Sequence, residues 1–191
     1  MDLSRIPRRF NTSDLHLRPS NATDAQSMFS MLSDPESMKY WCTEPINDLQ
    51  AAVEALNKDL ESDAQGNSMC WAVCLKGQDK MIGKCILFQF SQQNRRAEIG
   101  YLLSRDYWRQ GLMHQALEAV IDFAFNTLDL HRIEADVDTE NAASLGLLKK
   151  LGFKQEGLFK ERWFVYGEWQ DSVMLGLLKQ DWLANKPSTT E

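Results

Sequence analysis

No apolar run in the 191-residue chain approaches the roughly 18 residues that a membrane-spanning helix needs, so no membrane partner is expected. Histidine is scarce, with 3 residues, and none lies near a cysteine pair. The 4 cysteines (Cys42, Cys70, Cys74 and Cys85) are irregularly spaced. Cys70 and Cys74, in CWAVC, fall on one face of a strand rather than in a metal-binding knuckle, so no metal is expected and reduced thiols are the default. Basic charge is also in deficit. With 21 Lys and Arg against 27 Asp and Glu, the net charge of −6 argues against a nucleic-acid or anionic-membrane partner and mildly favours cationic ones. MDLSRIPRRF is basic, but no apolar stretch follows it, which predicts no secretory leader and a cytoplasmic location.

The 43% hydrophobic and 25% charged composition is that of a globular protein. The length fits one domain, expected over residues 13–183, with loose segments at 1–12 and 184–191. Within it the hydrophobic period switches repeatedly. LHLRP alternates as a strand closed by proline, and NATDAQSMFSML reads as a helix capped by Thr23 or Asp24. Residues 48–60 form a second helix with Leu49, Val53, Leu56 and Leu60 on one face. MCWAVCL and MIGKCILFQF make a hairpin, and RRAEIGYLL a further strand. A long apolar stripe runs from Met113 to Leu128 on a helix opened by Gly111. RIEADV is a strand; residues 141–151 form a helix stopped by Gly152; two strands follow, joined by a turn at 166–168. The order β-α-α-β-β-β-α-β-α-β-β predicts an α/β fold in the α+β borderland: a mixed seven-stranded sheet with helices on both faces.

The stretch YWRQGLMHQAL opens that long helix without a Ser, Thr or Asp cap. An uncapped start leaves backbone N–H groups unpaired, and the helix dipole makes the place suited to an anion. The amides of Arg109, Gln110, Gly111, Leu112, Met113 and His114 are the candidate donors, with Gly111 allowing close approach. His114 is either a further phosphate contact or a solvent-facing side chain. The stretch lacks the Gly-Lys-Ser/Thr of a phosphate-binding P-loop and the three glycines of a dinucleotide fingerprint.

Three stretches, AEIGYLLSRDYWRQGLMHQALEAV, NAASLGLLKKLGF and GEWQD, resemble the GCN5-related N-acetyltransferases (GNAT). Within them the chain is similar to the RimJ/RimL branch, which acetylates the amino termini of ribosomal proteins. The resemblance extends over about residues 15–182 and is most specific over 98–153. It implies a splayed sheet, acetyl-CoA as co-substrate with its pyrophosphate on the helix-opening turn, and pantetheine between the strands RRAEIGYLL and RIEADV. The turn departs from the usual Gln/Arg-x-x-Gly-x-Gly/Ala in having Trp108 first and Met113 last.

The resemblance places Glu98 as the base for the amine proton. The alternative is a glutamate paired to Arg95 or Arg96. A backbone N–H from Tyr101, Leu102 or Leu103 is expected to polarise the thioester carbonyl. Many relatives carry a tyrosine donor where this chain has Leu148. Ser144 instead matches the Asn-x-x-Ser of the RimJ/RimL branch and is expected to donate to the leaving thiolate, or else to bond its own helix backbone. Asn141 is expected both to cap this helix and to contact the cofactor. Trp41 and Glu44, and the stretch FVYGEW from Phe164 to Trp169, fall on loops that flank the acceptor groove in relatives, and Glu168 and Asp171 are expected to attract a cationic amine; the alternative is core-filling aromatics and solvated acids. The acceptor is expected to be a protein α-amine, with small amines (a polyamine, an amino acid or a drug) and non-catalytic acyl-CoA binding as the competing readings. A homodimer is compatible with the resemblance.

Overall fold

Strands assemble into one open sheet with helices on both sides, covering β3 so fully that nearly every residue of it is buried. The computed structural model describes residues 6–185. Its strands are β1 (Phe10–Asn11), β2 (Leu15–Pro19), β3 (Ser68–Leu75), β4 (Met81–Ser91), β5 (Arg96–Leu103), β6 (Arg132–Asp138), β7 (Lys154–Val165) and β8 (Glu168–Leu178). Its helices are α1 (Ala25–Leu32), α2 (Pro35–Met38), α3 (Leu49–Ala64), α4 (Leu112–Asn126), α5 (Ala142–Lys150) and α6 (Lys179–Asn185). The spatial order is β1-β2-β3-β4-β5-β6-β8-β7, antiparallel throughout except for β5 beside β6. The expected α/β sheet with helices on both faces is therefore present, with eight strands rather than seven.

The eighth strand is β1, inside the segment expected to be loose. That segment is tied down from Arg8, which ion-pairs with Asp63 at 2.6 Å. Phe10 packs its ring against Trp71 and Phe123, so an aromatic residue near the amino end closes the core. At the other end α6 continues through Asn185, with Trp182 buried and its Nε1 donating to Asp122 at 2.7 Å. The rest of the two end segments, residues 1–5 and 186–191, lies outside the described residues.

On one face, Met28 and Met31 of α1 and Ala52 and Leu56 of α3 pack with Ala72, Cys74 and Leu102. On the other, α4 buries Leu117, Val120, Ile121 and Ala124 against Trp71, Ile99, Ile133 and Leu148. The stripe predicted for α4 is thus its core face, as 3.6-residue periodicity requires. On α3, by contrast, Leu49 is exposed and Ala52 is buried in its place. The cap of the first helical segment is Asn21, whose side chain accepts from the Thr23 N–H. Asp24 is the N-cap residue of α1 by position but makes no side-chain cap bond to that helix; its carboxylate accepts from the Asn21 N–H at 2.9 Å and is buried in a two-bond pair with Arg18 at 2.9 and 2.7 Å. Such a pair satisfies both charges only because each keeps its partner.

The two last strands and the turn expected at 166–168 are present as a long hairpin, so Phe164, Glu168 and Trp169, placed on a loop by the resemblance, lie in its strands. Only Tyr166 and Gly167 are turn residues, both with positive φ (54° and 78°), as a two-residue hairpin connection prefers.

Candidate active site

The site begins where two strands part. β5 and β6 pair only over Arg96–Arg132, Ala97–Ile133 and Glu98–Glu134. Beyond that, β5 stays with β4 as far as Leu103, and β6 stays with β8 as far as Asp138. Two strand edges therefore face each other across a wedge, with backbone groups free to pair with an inserted chain. Strand alternation decides which groups point into it. Ser104 N–H bonds to Ile82 O, and the Leu102 carbonyl lies against Gly83, so both turn towards β4. Tyr101 and Leu103 consequently turn to the wedge. Leu103 O accepts from Trp108 Nε1 at 2.7 Å, which closes the connection between β5 and α4. Of the three expected oxyanion donors, Leu102 is removed by register.

Glu98 occupies the last paired position before the wedge, on the sheet face covered by α1 and α3. Neither arginine of the alternative reading holds it. Arg95 pairs with Asp129 at 2.9 Å, and Arg96 pairs with Glu134. Glu98 has no hydrogen-bond or ion-pair partner among the described residues. Burial and the neighbouring Asp136 carboxylate push its pKa from 4.5 up to about 7, with Glu134 adding to the rise and Arg162 and Arg96 opposing it. A carboxyl that holds its proton to near neutrality, at the mouth of a cleft, is suited to general-base work.

On the opposite face of β5, the Tyr101 hydroxyl lies 2.6 Å from Ser144 Oγ, so α5 is bonded to the strand across the wedge. The Ser144 hydroxyl is thus engaged with a tyrosine rather than its own helix backbone. Asn141 caps α5, its side-chain oxygen accepting from Ser144 N–H at 3.0 Å, and fixes where that hydroxyl sits. Burial raises the Tyr101 pKa far above its ordinary value, so the phenol keeps its proton. Sequence reasoning valued Tyr101 only for its backbone; the alternation of β5, with Glu98 on one face and Tyr101 on the other, is the signal that points to its side chain. Leu148 is fully buried core.

The helix-opening turn matches its sequence reading in backbone form. Gly111 is the α4 N-cap at φ 75°, with no side-chain cap. The first bond into the helix is Gln115 N–H to Gly111 O at 3.2 Å, which leaves the amides of Leu112, Met113 and His114 without an acceptor among the described residues. Leu112 and Met113 bury their side chains, so only their backbones face outward. A Cβ on Gly111 would meet nothing within 4 Å, so the left-handed backbone, not crowding, is what requires glycine. Arg109 is exposed at φ 60°, Gln110 donates to Asp106 O at 3.2 Å, and His114 is half-buried. These free amides at a helix start fit a pyrophosphate.

The residues expected around the acceptor divide. Trp41 packs beside the α1–α3 cluster, and Glu44 is exposed close by. Cys42 between them lies within electrostatic reach of Asp136 and Glu98, so this segment is near the Glu98 carboxyl. Asp171 does other work: it accepts from Lys160 Nζ at 2.6 Å and from Glu161 N–H at 2.9 Å, holding a bulge in β7. Phe164 packs on Trp169 at 5.0 Å near the hairpin end, and Glu168 is exposed there. The hairpin residue that reaches the Glu98 cluster is one sequence reasoning passed over: Arg162, whose Nε donates to Asp136 at 2.6 Å.

A half-buried carboxyl beside a wedge between strands, a hydroxyl pair on the opposite face and free amides at a helix start are an arrangement suited to acyl transfer. The chain belongs to the GNAT acetyltransferases: the Acetyltransferase (GNAT) domain model matches residues 14–154. The uncharacterized N-acetyltransferase p20 of Bacillus licheniformis is 35% identical over 171 residues, 90% of this chain and 96% of that protein. A spermidine N(1)-acetyltransferase of Vibrio cholerae is 26% identical over 171 residues, 90% of this chain and 96% of that protein. The solved structure of spermidine N-acetyltransferase from Vibrio cholerae in complex with CoA and spermine shares the fold, with TM-score 0.80 and 24% identity over 90% of this chain and 99% of that one. Ribosomal-protein-S5-alanine acetyltransferase from Vibrio fischeri does so too, with TM-score 0.78 and 24% identity over 95% and 100%. The chain is an N-acetyltransferase.

Proposed function

We propose that the chain transfers the acetyl group of acetyl-CoA to the α-amine of a protein or peptide, with Glu98 as base and Ser144 as donor to the departing sulfur. The observation that carries the reading is Glu98, a half-buried carboxyl with no hydrogen-bond or ion-pair partner among the described residues and a pKa raised to about 7, at the point where β5 and β6 part. Acetyl-CoA supplies an activated thioester. The amides of Leu112, Met113 and His114 hold its pyrophosphate, and the wedge edges receive its pantetheine arm. The Tyr101 N–H donates to the acyl oxygen, where charge develops during attack. Glu98 takes the proton the amine loses. On the other face Ser144, oriented by Tyr101 and Asn141, donates to the sulfur as the carbon–sulfur bond breaks.

An α-amine suits this base. Its pKa of about 8 lies roughly 2.4 below that of lysine, which corresponds to about 3 kcal/mol less deprotonation cost at neutral pH. The Asn141–Ser144 spacing, with Leu148 in place of a tyrosine, supports the RimJ/RimL-like assignment and an amino-terminal acceptor resembling those of ribosomal proteins. A small polyamine is the second reading, favoured by the similarity to the spermidine acetyltransferase along 90% of the chain.

The test is competition for acetyl-CoA, read by thiol release and mass spectrometry. A peptide beginning with Ser or Ala is expected to react at least tenfold faster than the same peptide with a blocked terminus and an exposed lysine. Equal or faster reaction of the blocked peptide would sink the α-amine assignment, and exclusive turnover of spermidine would establish the second reading.

A further inference from the structure

The sheet face that carries Glu98 also carries Arg96, Arg132, Glu134 and Asp136, because the Glu98–Glu134 register puts these alternating residues on one side. The charges nearer the paired end neutralise one another. Glu134 accepts from both Arg96 and Arg132, and Arg132 also holds Glu156. Nearer the wedge the balance is different. Asp136, with its side chain 6% exposed, has one ion-pair partner among the described residues, Arg162, which is itself 38% exposed and comes from the hairpin.

Arg162 is presented by a break in the hairpin. Between Phe159–Ser172 and Trp163–Gln170 the register shifts: three residues of β7 stand opposite the single residue Asp171. Glu161 takes φ 51° there, and Asp171 clamps the bulge through Glu161 N–H and Lys160 Nζ. Bulges of this kind re-aim a side chain. The guanidinium also lies 5.0 Å from the Phe159 ring and 5.4 Å from the Trp163 ring, a cation on aromatic surfaces. A buried carboxylate near Glu98 is thus closed by a part-exposed cation.

We propose that Asp136 is the docking carboxylate for a positive charge on the acceptor, and that Arg162 is its resident surrogate, displaced when the acceptor binds. The inference rests on the acetyltransferase reading and adds a specificity residue and an internal competitor to it. An acceptor with a second cationic group places one nitrogen at Glu98 and the other at Asp136. Once displaced, Arg162 retains its aromatic platform on Phe159 and Trp163, so leaving Asp136 does not strand its charge without contacts. Because the exchange is cation for cation, the site never holds the Asp136 carboxylate unpaired, which in a buried position would be costly.

The experiment uses the full chain and three variants, Arg162→Gln, Arg162→Lys and Asp136→Asn. The assay measures acetylation of spermidine and of a Ser-Lys-starting peptide at saturating acetyl-CoA. Arg162→Gln is expected to lower the acceptor KM about fivefold or more with kcat changed less, and Arg162→Lys to restore the native KM. Asp136→Asn is expected to raise the acceptor KM at least tenfold and to move the acidic limb of the pH profile downwards, since it removes a like charge facing Glu98. A purely structural ion pair gives the opposite pattern: Arg162→Gln and Asp136→Asn both lose thermal stability and kcat, with acceptor KM unmoved, and that result overturns the proposal. A second arm needs no turnover: methylguanidine titrated calorimetrically into the CoA-saturated protein should bind Arg162→Gln at least tenfold more tightly than wild type, and Asp136→Asn not at all. Turnover in wild type with no KM shift in Arg162→Gln refutes this inference alone. No acetylation of any amine by wild type refutes the acceptor reading, while the methylguanidine titration still decides whether Arg162 screens a cation site.

Discussion

Replacing Glu98 by glutamine should make the protein more stable and less active at the same time, with a pH dependence fixed in sign. In the folded chain the carboxyl holds its proton up to about pH 7, against 4.5 for its ordinary value. Between those two pH values the folded state binds the extra proton, so stability falls as pH rises, and above pH 7 the full cost of the ionised group is present. At about 1.4 kcal/mol for each tenfold change in protonation, the whole gap is worth roughly 3 kcal/mol. Glu98 is only half-buried, and solvent screening brings this to about 1–2 kcal/mol. In a domain of this size ~1 kcal/mol moves Tm by about 2–4 °C. Glu98→Gln keeps the shape and removes the charge, so its Tm relative to wild type should be about 2–6 °C more favourable at pH 8 than at pH 5. Any cost of burying an amide appears at both pH values and cancels in that comparison. Turnover should drop by about 10²-fold or more, as for loss of a general base. Wild-type kcat/KM should rise about tenfold per pH unit up to near pH 7. The groups facing Glu98 that set this limb are Asp136, Glu134, Arg162 and Arg96, with Cys42 across the cleft. Calorimetric scans at pH 5 and 8 and a pH–rate profile measure both effects. An equal Tm difference at the two pH values, together with an acidic limb below pH 5, would refute the reasoning.

Two further outcomes follow from the cofactor side of the wedge. Gly111→Asp puts a carboxylate on the helix-opening turn and forces a side chain into a backbone at φ 75°, where the strain is about 1 kcal/mol, so acetyl-CoA should bind at least tenfold more weakly by calorimetry; unchanged affinity would remove the pyrophosphate from this turn. Ser144→Ala should lower turnover about 10–10²-fold with acetyl-CoA affinity largely intact, and Tyr101→Phe should lower it by a smaller factor in the same direction, because only the orienting bond at 2.6 Å is lost. Full activity in both would show that this hydroxyl pair does not serve the departing sulfur.

Much of the fold was legible because the signals involved are local. The strand at 96–103, the helix after Gly111, the Asn141 cap and the Gly152 stop depend on periodicity, backbone conformation and hydrogen bonds between near neighbours, which a linear pattern records. The two-residue strand β1 escaped because its stability comes from Phe10 meeting Trp71 and Phe123, residues distant in the chain. Leu49 was misplaced for a related reason: hydrophobicity marks a helix stripe, but the packed neighbour decides which edge of the stripe is covered.

The site divides along the same line. Sequence by itself determined the uncapped glycine turn and placed Glu98 and Ser144 on the elements that carry them, since those features are set by residue type and short spacing. Only the tertiary structure decided the partners: Tyr101 with Ser144, Arg162 with Asp136, and Glu98 with none among the described residues. The first two pairs span 43 and 26 residues. Their meeting depends on strand register, on where β5 and β6 part, and on a bulge that turns Arg162 inward. A shift of one residue in any of these would send the side chain to the opposite face of the sheet.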